Sequence, residues 1–307
     1  MNFLKLFQKF QSITRQISGL ADRVERLQQA LGRIESRQLA TSNSSEIKDF
    51  EFQVFSQWGE DGIIQYLINR IPIPNKVFVE FGIGDYTESN TRFLLKNDNW
   101  SGLVIDGSFD NIKQLINSNV SWHYKLQSSC SFITKDNINS IISSNGIAGD
   151  IGILSVDIDG IDYWVWNEIS CINPRIVICE YNSLFGANHA VTVPYDEKFQ
   201  IGKAHYSGLY WGASIAAFTH LGKIKGYSLV GSNTAGNNIF FVRNDVLSGI
   251  KVYDPVDAYV QSKFRISRSE SGQLSFLNFA DGRNAIKDLD LYDVKQNSLV
   301  KANETFE

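Results

Sequence analysis

Residues 77–91 read VFVEFGIGDYTESNT, a short β-branched run that ends in an acid and then a Gly-x-Gly turn. Ile151–Val156 and Ile176–Cys179 further on are apolar on both faces, as strands buried inside a sheet should be. Gly82 and Gly84 let the chain turn sharply and let a ligand approach the main chain. The stretch is not a dinucleotide fingerprint, because Asp85, Tyr86 and Thr87 follow where a third glycine is needed. From Phe50 onward the same grammar repeats, strand patterns alternating with helical ones, which predicts an α/β fold with a sheet wrapped by helices on both faces. The strands expected are Val77–Phe81, Gly102–Asp106, Tyr124–Leu126, Ile151–Val156, Arg175–Glu180, Tyr227–Val230 and Ile239–Arg243. The helices expected are Glu60–Arg70, Asn90–Lys96, Asn111–Ser118, Ile138–Ser143, Tyr163–Ile169 and Trp211–Leu221. The last two strands are joined by residues 231–237, too short a link to hold a helix, so they should pair antiparallel.

In an open α/β sheet, ligands sit beyond the carboxyl ends of the strands, where the strand order reverses. Four ends carry polar residues. Glu80 precedes the glycine turn, and Asp106 closes the second strand about twenty residues later, placed to accept from ribose hydroxyls. Asp106 also suits an N-cap of the next helix. No GxxxxGK[ST] loop exists, so a nucleoside ligand without a polyphosphate is favoured. Asp157, Asp159 and Asp162 crowd the fourth end and repel one another unless a cation, proton or donor intervenes. Glu180 and Asn182 face the same mouth from the fifth. With Asp157 they form a set suited to a hard divalent cation such as Mg²⁺, or else a hydrogen-bonded patch around an acceptor hydroxyl. Asp157, Glu180 and His189 are the catalytic candidates, with His205 a second histidine at the same end.

Outside this body lie two further segments. In residues 1–40, Phe3, Leu6, Phe10, Ile13, Ile17, Leu20, Val24, Leu27, Leu31 and Ile34 recur at alternating spacings of three and four. That 3.5-residue period predicts a coiled coil and self-association through residues 3–34; a helix folded back on its own domain has the same pattern. Ile17 and Val24 at one seam position, with Leu20 and Leu27 at the other, suit two parallel strands. Phe3, Leu4, Leu6, Phe7 and Phe10 alternate with Lys5 and Lys9, which also suits peripheral membrane contact. Residues 41–49 read as a linker, 50–247 as the main domain and 248–307 as a C-terminal extension whose pattern says nothing of its role.

Composition narrows the class. The chain has 307 residues, 43% hydrophobic and 12% aromatic, with a net charge of -4. That apolar share builds a core and excludes wholesale disorder, and the charge argues against a nucleic-acid partner. No apolar run approaches the roughly 20 residues that span a bilayer, and Lys5 and Lys9 interrupt the N-terminal stretch that a secretory signal would need. Cys130, Cys171 and Cys179 are odd in number without CxxC spacing, so a reducing, cytoplasmic setting is expected.

Four motifs in order, VFVEFGIGDYTESNT, GLVIDGS, LSVDIDGIDYWVWNEI followed by NPRIVICEYN, and KGYSLVGSNTAGNNIFFVRND, resemble the FkbM-type S-adenosylmethionine-dependent methyltransferases. The likeness covers about Phe50 to Asp245. It implies a Rossmann-like seven-stranded methyltransferase sheet with an antiparallel last strand, and methyl transfer to a sugar hydroxyl of a glycan or glycoconjugate. By the same resemblance Glu80, Gly82 and Gly84 line the methionine and ribose part of S-adenosylmethionine, and Asp106 holds the ribose, with Ser108 beside it. The segment Ser56–Asp61, with Gln57 and Glu60, closes over the cofactor. Residues 182–212 form the acceptor region, with Phe185, His205 and Tyr210 as binding residues. Many relatives carry Asp-Val-Glu-Gly where this chain has Asp157-Ile158-Asp159-Gly160. Two rival readings remain: a glycosyltransferase using Asp157 and Asp159 as a DxD pair, and a non-enzymatic assembly module of a glycan-synthesis complex.

Overall fold

The structure, a computed structural model, describes residues 3–306. The side chains of residues 3–5, 15 and 18 lie outside that description, and with them the Phe3, Leu4 and Lys5 part of the expected membrane-contact face.

Ten strands form two sheets. The main sheet holds β1 (Val77–Phe81), β2 (Ser101–Asp106), β3 (Leu126–Cys130), β4 (Gly149–Val156), β5 (Ile172–Glu180), β7 (Tyr227–Ser232) and β8 (Asn238–Arg243). A small second sheet holds β6 (Val191–Thr192), β9 (Asp290–Asp293) and β10 (Ser298–Lys301). The main order is β3-β2-β1-β4-β5-β8-β7. Strands β1 to β5 pair in parallel, and β8 runs antiparallel to both β5 and β7 between them. This is the Rossmann-like seven-stranded α/β sheet that the alternation and the short closing hairpin implied.

The central strands are apolar on both faces, which is why they read as continuous hydrophobic runs. Phe78, Val104, Ile153, Ile176, Phe240 and Val242 pack into one core with the helix Glu60–Arg70, through Ile63 and Leu67. Val79, Leu103, Leu154, Val177 and Phe241 pack into the other, with Trp166 and Phe218 from helices Asp162–Glu168 and Ile215–Lys225. After β1 the chain builds outward to β2 and β3, then returns to the opposite side of β1 as β4. The two connections diverge at the carboxyl ends of β1 and β4, which opens the crevice between them.

Two elements depart furthest from the sequence reading. The third strand is Leu126–Cys130 rather than Tyr124–Leu126, because Val120–His123 coils into a helical turn. Its sequence, LQSSC, is polar, as an edge strand tolerates, so it left no hydrophobic signal. The helix expected at Trp211–Leu221 starts after Ser214, whose hydroxyl accepts from the Ala217 N–H, and stops at Gly226 with φ +84°.

The N-terminal helix runs Phe3–Leu39. Its polar face leans on the main domain. Glu25 pairs with Arg92 at 3.3 Å and with Lys96, Ser36 bonds Gln65 at 3.4 Å, and Gly32 lies so close to the body that a Cβ there would meet Val54 Cγ2 at 2.4 Å. The apolar seam points outward, Leu20, Leu27 and Leu31 being 61%, 65% and 60% exposed. No helix among the described residues is long and apolar enough to cross a membrane.

The C-terminal residues pack on the same chain. Strand β9 pairs β6 antiparallel, Tyr292 opposite Thr192. The Lys263 N–H donates to the Ala235 carbonyl at 3.0 Å, and the Tyr259 hydroxyl donates to that of Ser183 at 2.8 Å. Phe185, Val191, Val193, Ile286, Leu291 and Ala302 make the core of this smaller layer.

Candidate functional site

The glycine turn after β1 sets the site. Gly82 has φ +69° and Gly84 φ +55°, a backbone region L side chains rarely adopt. A Cβ on Gly82 would stand 1.7 Å from the Asp157 carbonyl oxygen, so only glycine lets the β1 turn pass beneath the β4 end. Gly84 has nothing near its Cβ position, and its N–H donates to Asp106 Oδ2 at 2.9 Å. Asp106 also accepts from the Ser108 N–H at 2.7 Å and from Asn111 Nδ2 at 3.2 Å, both on Oδ1. These bonds aim the carboxylate across the glycine turn and leave Oδ2 with a spare lone pair. The helix Phe109–Asn117 is capped by Ser108, not Asp106; the Ser108 hydroxyl accepts from the Asn111 N–H.

Two clefts, about 250 and 350 Å³, meet at Gly82, Gly84 and Asp157. The first is lined by Gln57, Glu80, Asp85, Glu88, Asn90 and Asn238, the second by Asp106, Phe132, Asp159 and Phe199 among others. Together they have the volume of a nucleoside site. Carboxylates recur along both, and among the described residues no Lys or Arg lines either.

Glu80 borders the first cleft, yet its carboxylate is occupied. It accepts from the Ser89 hydroxyl at 2.6 Å, the Asn90 N–H at 2.8 Å, the Thr91 N–H at 3.2 Å and the Thr91 hydroxyl. Three of these donors reach Oε2 and one Oε1, so Glu80 fixes the loop that walls the cleft and Oε1 keeps one lone pair. Burial raises its pKa, and those donors work against the rise.

Asp157, Asp159 and Glu180 bring ligand oxygens within 4.8 Å of one another. Burial, then the charges of Asp159 and Asp162, push Asp157 well above the usual carboxylate range. Burial, then Asp157 and Asp159, do the same to Glu180. Asp162 accepts from the Ile158 N–H at 2.7 Å and the Gly160 N–H at 2.8 Å, and burial raises it to about 6. Such a cluster holds a proton more tightly than free carboxylates do, or takes up positive charge from a bound partner.

Several expected roles move once the chain is folded. Asn182 leaves the cation set. Its Oδ1 accepts from the Leu184 N–H at 3.1 Å, and its amide donates to the carbonyls of Leu209 at 2.9 Å and Trp211 at 3.0 Å. Asp159 takes its place in the oxygen cluster. His189 lines neither cleft; its carbonyl accepts from the Ser214 hydroxyl at 2.7 Å where the chain turns into β6. Phe185 is fully buried in the core of the small layer. The Tyr210 hydroxyl donates to the Asp290 carbonyl, and His205 Nδ1 sits 2.7 Å from the Ser207 hydroxyl. Phe185 and Tyr210 knit the second layer together, His205 braces its own turn, and none of the three lines either cleft. Ser108 acts on Asp106 through its backbone and lines no cleft.

Glu60 is fully buried behind the site. It accepts from the Trp58 N–H at 2.9 Å, Asn233 Nδ2 at 2.6 Å and Asn238 Nδ2 at 2.9 Å. That last bond fixes the orientation of the Asn238 amide, since a carboxylate only accepts. Asn238 Oδ1 is left buried with no partner, on a residue that lines the first cleft and stands opposite Glu180 in the β5–β8 register. No pattern in the sequence marks Asn238; its role follows from where Glu60 holds it.

No protein-family model matches the sequence, and no curated protein matches it. Solved structures similar to it include an S-adenosylmethionine-dependent methyltransferase from Clostridium acetobutylicum, at 14% identity and TM-score 0.32, over 45% of this chain and 56% of that one. The N-terminal domain of EvdMO1, solved in the presence of SAH and D-fucose, is similar at 10% identity and TM-score 0.38, over 70% of this chain and 95% of that one. PKMT2 from Rickettsia typhi, in complex with AdoHcy, is similar at 9% identity and TM-score 0.42, over 65% of this chain and 55% of that one.

Proposed function

We propose that the chain is an S-adenosylmethionine-dependent O-methyltransferase that acts in the cytoplasm on a sugar hydroxyl of a glycan or glycoconjugate. The observation that carries the reading is the charge of the crevice. Two joined clefts at the reversal point of the sheet are rich in carboxylates, contain no Lys or Arg, and have one acid, Asp106, at the place where a ribose is held. A nucleotide with phosphates would be repelled there. A nucleoside carrying a sulfonium and an ammonium is attracted. The order of the four motifs from VFVEFGIGDYTESNT to KGYSLVGSNTAGNNIFFVRND supports the same reading.

In this reading Asp106 accepts from the ribose hydroxyls, and the Gly82–Gly84 backbone lies against the nucleoside. Asn238 Oδ1 accepts from the ammonium end, and Gln57 closes that cleft. When bound, the cofactor supplies a methyl group already activated on sulfur. The protein must then align the acceptor oxygen, exclude water and take one proton. Asp157, hydrogen-bonded to Glu180 and raised above its ordinary range, is the group placed to take it.

A second reading of proton removal is favoured by the oxygen geometry. Asp157, Asp159 and Glu180 fit the hard-oxygen donor set of a divalent cation such as Mg²⁺. When bound, such an ion would lower the pKa of the acceptor hydroxyl. Turnover that survives exhaustive chelation unchanged assigns the step to the carboxylates alone.

Self-association through residues 3–34 belongs to the same proposal. It is supported by the outward seam, since a continuous row of exposed leucines and isoleucines is costly to leave in water. The deciding experiment is titration calorimetry with S-adenosylhomocysteine against UDP. Binding of the first and not the second supports the methyltransferase; binding of UDP alone returns the reading to a glycosyltransferase.

A further inference from the structure

A third cavity, about 260 Å³, lies beside the acid-rich crevice and outside it. Its walls come from residues 181–211 after β5, from residues 261–282 of the C-terminal extension and from Gly236 of the β7–β8 turn. Trp211, Phe264 and Phe279 give it aromatic surface, and Gln261, Lys263 and Arg265 give it polar rim. Its charge is the inverse of the crevice: it has two cations and no Asp or Glu. Among the described residues neither Lys263 nor Arg265 enters an ion pair.

The cavity and the crevice share a wall. Gly236 lines the cavity and Asn238, two residues on, lines the first cleft. Asn182 lines the cavity two residues after Glu180 of the carboxylate cluster. Trp58, next to Gln57 of the first cleft, stacks on Phe264 of the cavity at 5.6 Å between centroids and 6° between planes. Positions within two residues of the carboxylate cluster and of the first cleft therefore line the cavity.

We propose that this cavity is the acceptor site, and that its ligand is a hydroxylated sugar ring bearing an acidic substituent, a carboxylate or a phosphate. The inference rests on the methyltransferase reading for what happens to the ligand, but not for its chemistry. Aromatic faces stack on the apolar faces of a sugar ring. Arg265 offers a planar fork to a carboxylate or phosphate, and Lys263 a point charge. The opposite signs of the two compartments sort the reactants: the cationic nucleoside is drawn to the crevice and the anionic sugar to the cavity.

The test uses the full chain saturated with S-adenosylhomocysteine, with glucuronate, glucose 6-phosphate and glucose as probes in saturation-transfer NMR titrations. At least one anionic sugar should bind about tenfold tighter than glucose, and the preferred one identifies the acid. The exposed double variant Lys263→Ala/Arg265→Ala should bring that sugar to within about threefold of glucose. Equal binding of all three, binding of none, or an unchanged preference in the double variant overturns the proposal. Calorimetry with S-adenosylhomocysteine on the same samples separates the two readings. If the nucleoside does not bind while the anionic preference holds, the methyltransferase reading and the acceptor role fall, and the cavity stands as an anionic-sugar site alone.

Discussion

At the scale of single residues, the site depends on side chains whose remaining hydrogen-bonding capacity faces the crevice. Asp106 Oδ2 accepts one backbone N–H and has one lone pair left. Asp106→Asn removes the charge and sets an amide NH2 against a backbone N–H, so affinity for S-adenosylhomocysteine should fall about tenfold and the thermal midpoint by a few degrees, read by calorimetry and a melting curve. Asn238→Ala should weaken the same ligand through its amino-acid end. An unchanged affinity in both variants would remove the crevice as the nucleoside site. Asp106, Gly82, Gly84 and Asp157 were legible in the sequence because a strand end announces them. Phe185, His189, His205 and Tyr210 misled, because aromatic and imidazole groups after β5 look alike whether they meet a ligand or a second layer of structure. Asn238 was invisible for another reason: its free oxygen exists only because Glu60, 178 positions away, takes its amide.

Among the elements, the N-terminal helix carries the clearest separation of faces. Its heptad was legible from spacing alone. Which face leans on the body was not, because contacts made through Glu25, Gly32 and Ser36 carry no hydrophobic signal. If the seam joins copies, Leu20→Glu/Leu27→Glu should convert the protein to a smaller species in analytical ultracentrifugation while nucleoside binding is unchanged. An unaltered sedimentation coefficient, equal to that of a monomer before and after, would return the seam to solvent. The central strands were readable to within a few residues because burial on both faces leaves continuous apolar runs. The strands of the small sheet, two to four residues each, are shorter than any period a pattern can reveal.

For the molecule as a whole, crowding acids at one end of the sheet has a cost that depends on pH. Asp162 ionises at about 6 in the fold, above its ordinary 3.8. Below about pH 4 both folded and unfolded chains hold that proton, and the group makes no difference. Between about 4 and 6 the unfolded chain gives it up first, so stability falls as pH rises, and above 6 the loss is complete. Relative to Asp162→Asn, which does not titrate, the wild type should lose about 2 kcal/mol of unfolding free energy between pH 4 and pH 7 in urea titrations. A pH-independent difference would show that the burial of this carboxyl is relieved in solution.

The far wall of the third cavity also has a meaning over longer times. Residues 261–279 belong to no strand of the main sheet, so their side chains can change without disturbing the β1, β2 and β4 ends. Under the proposed reading, descendants of this chain could exchange one sugar for another by drift in a single surface segment, while the crevice that would hold the methyl donor is inherited intact.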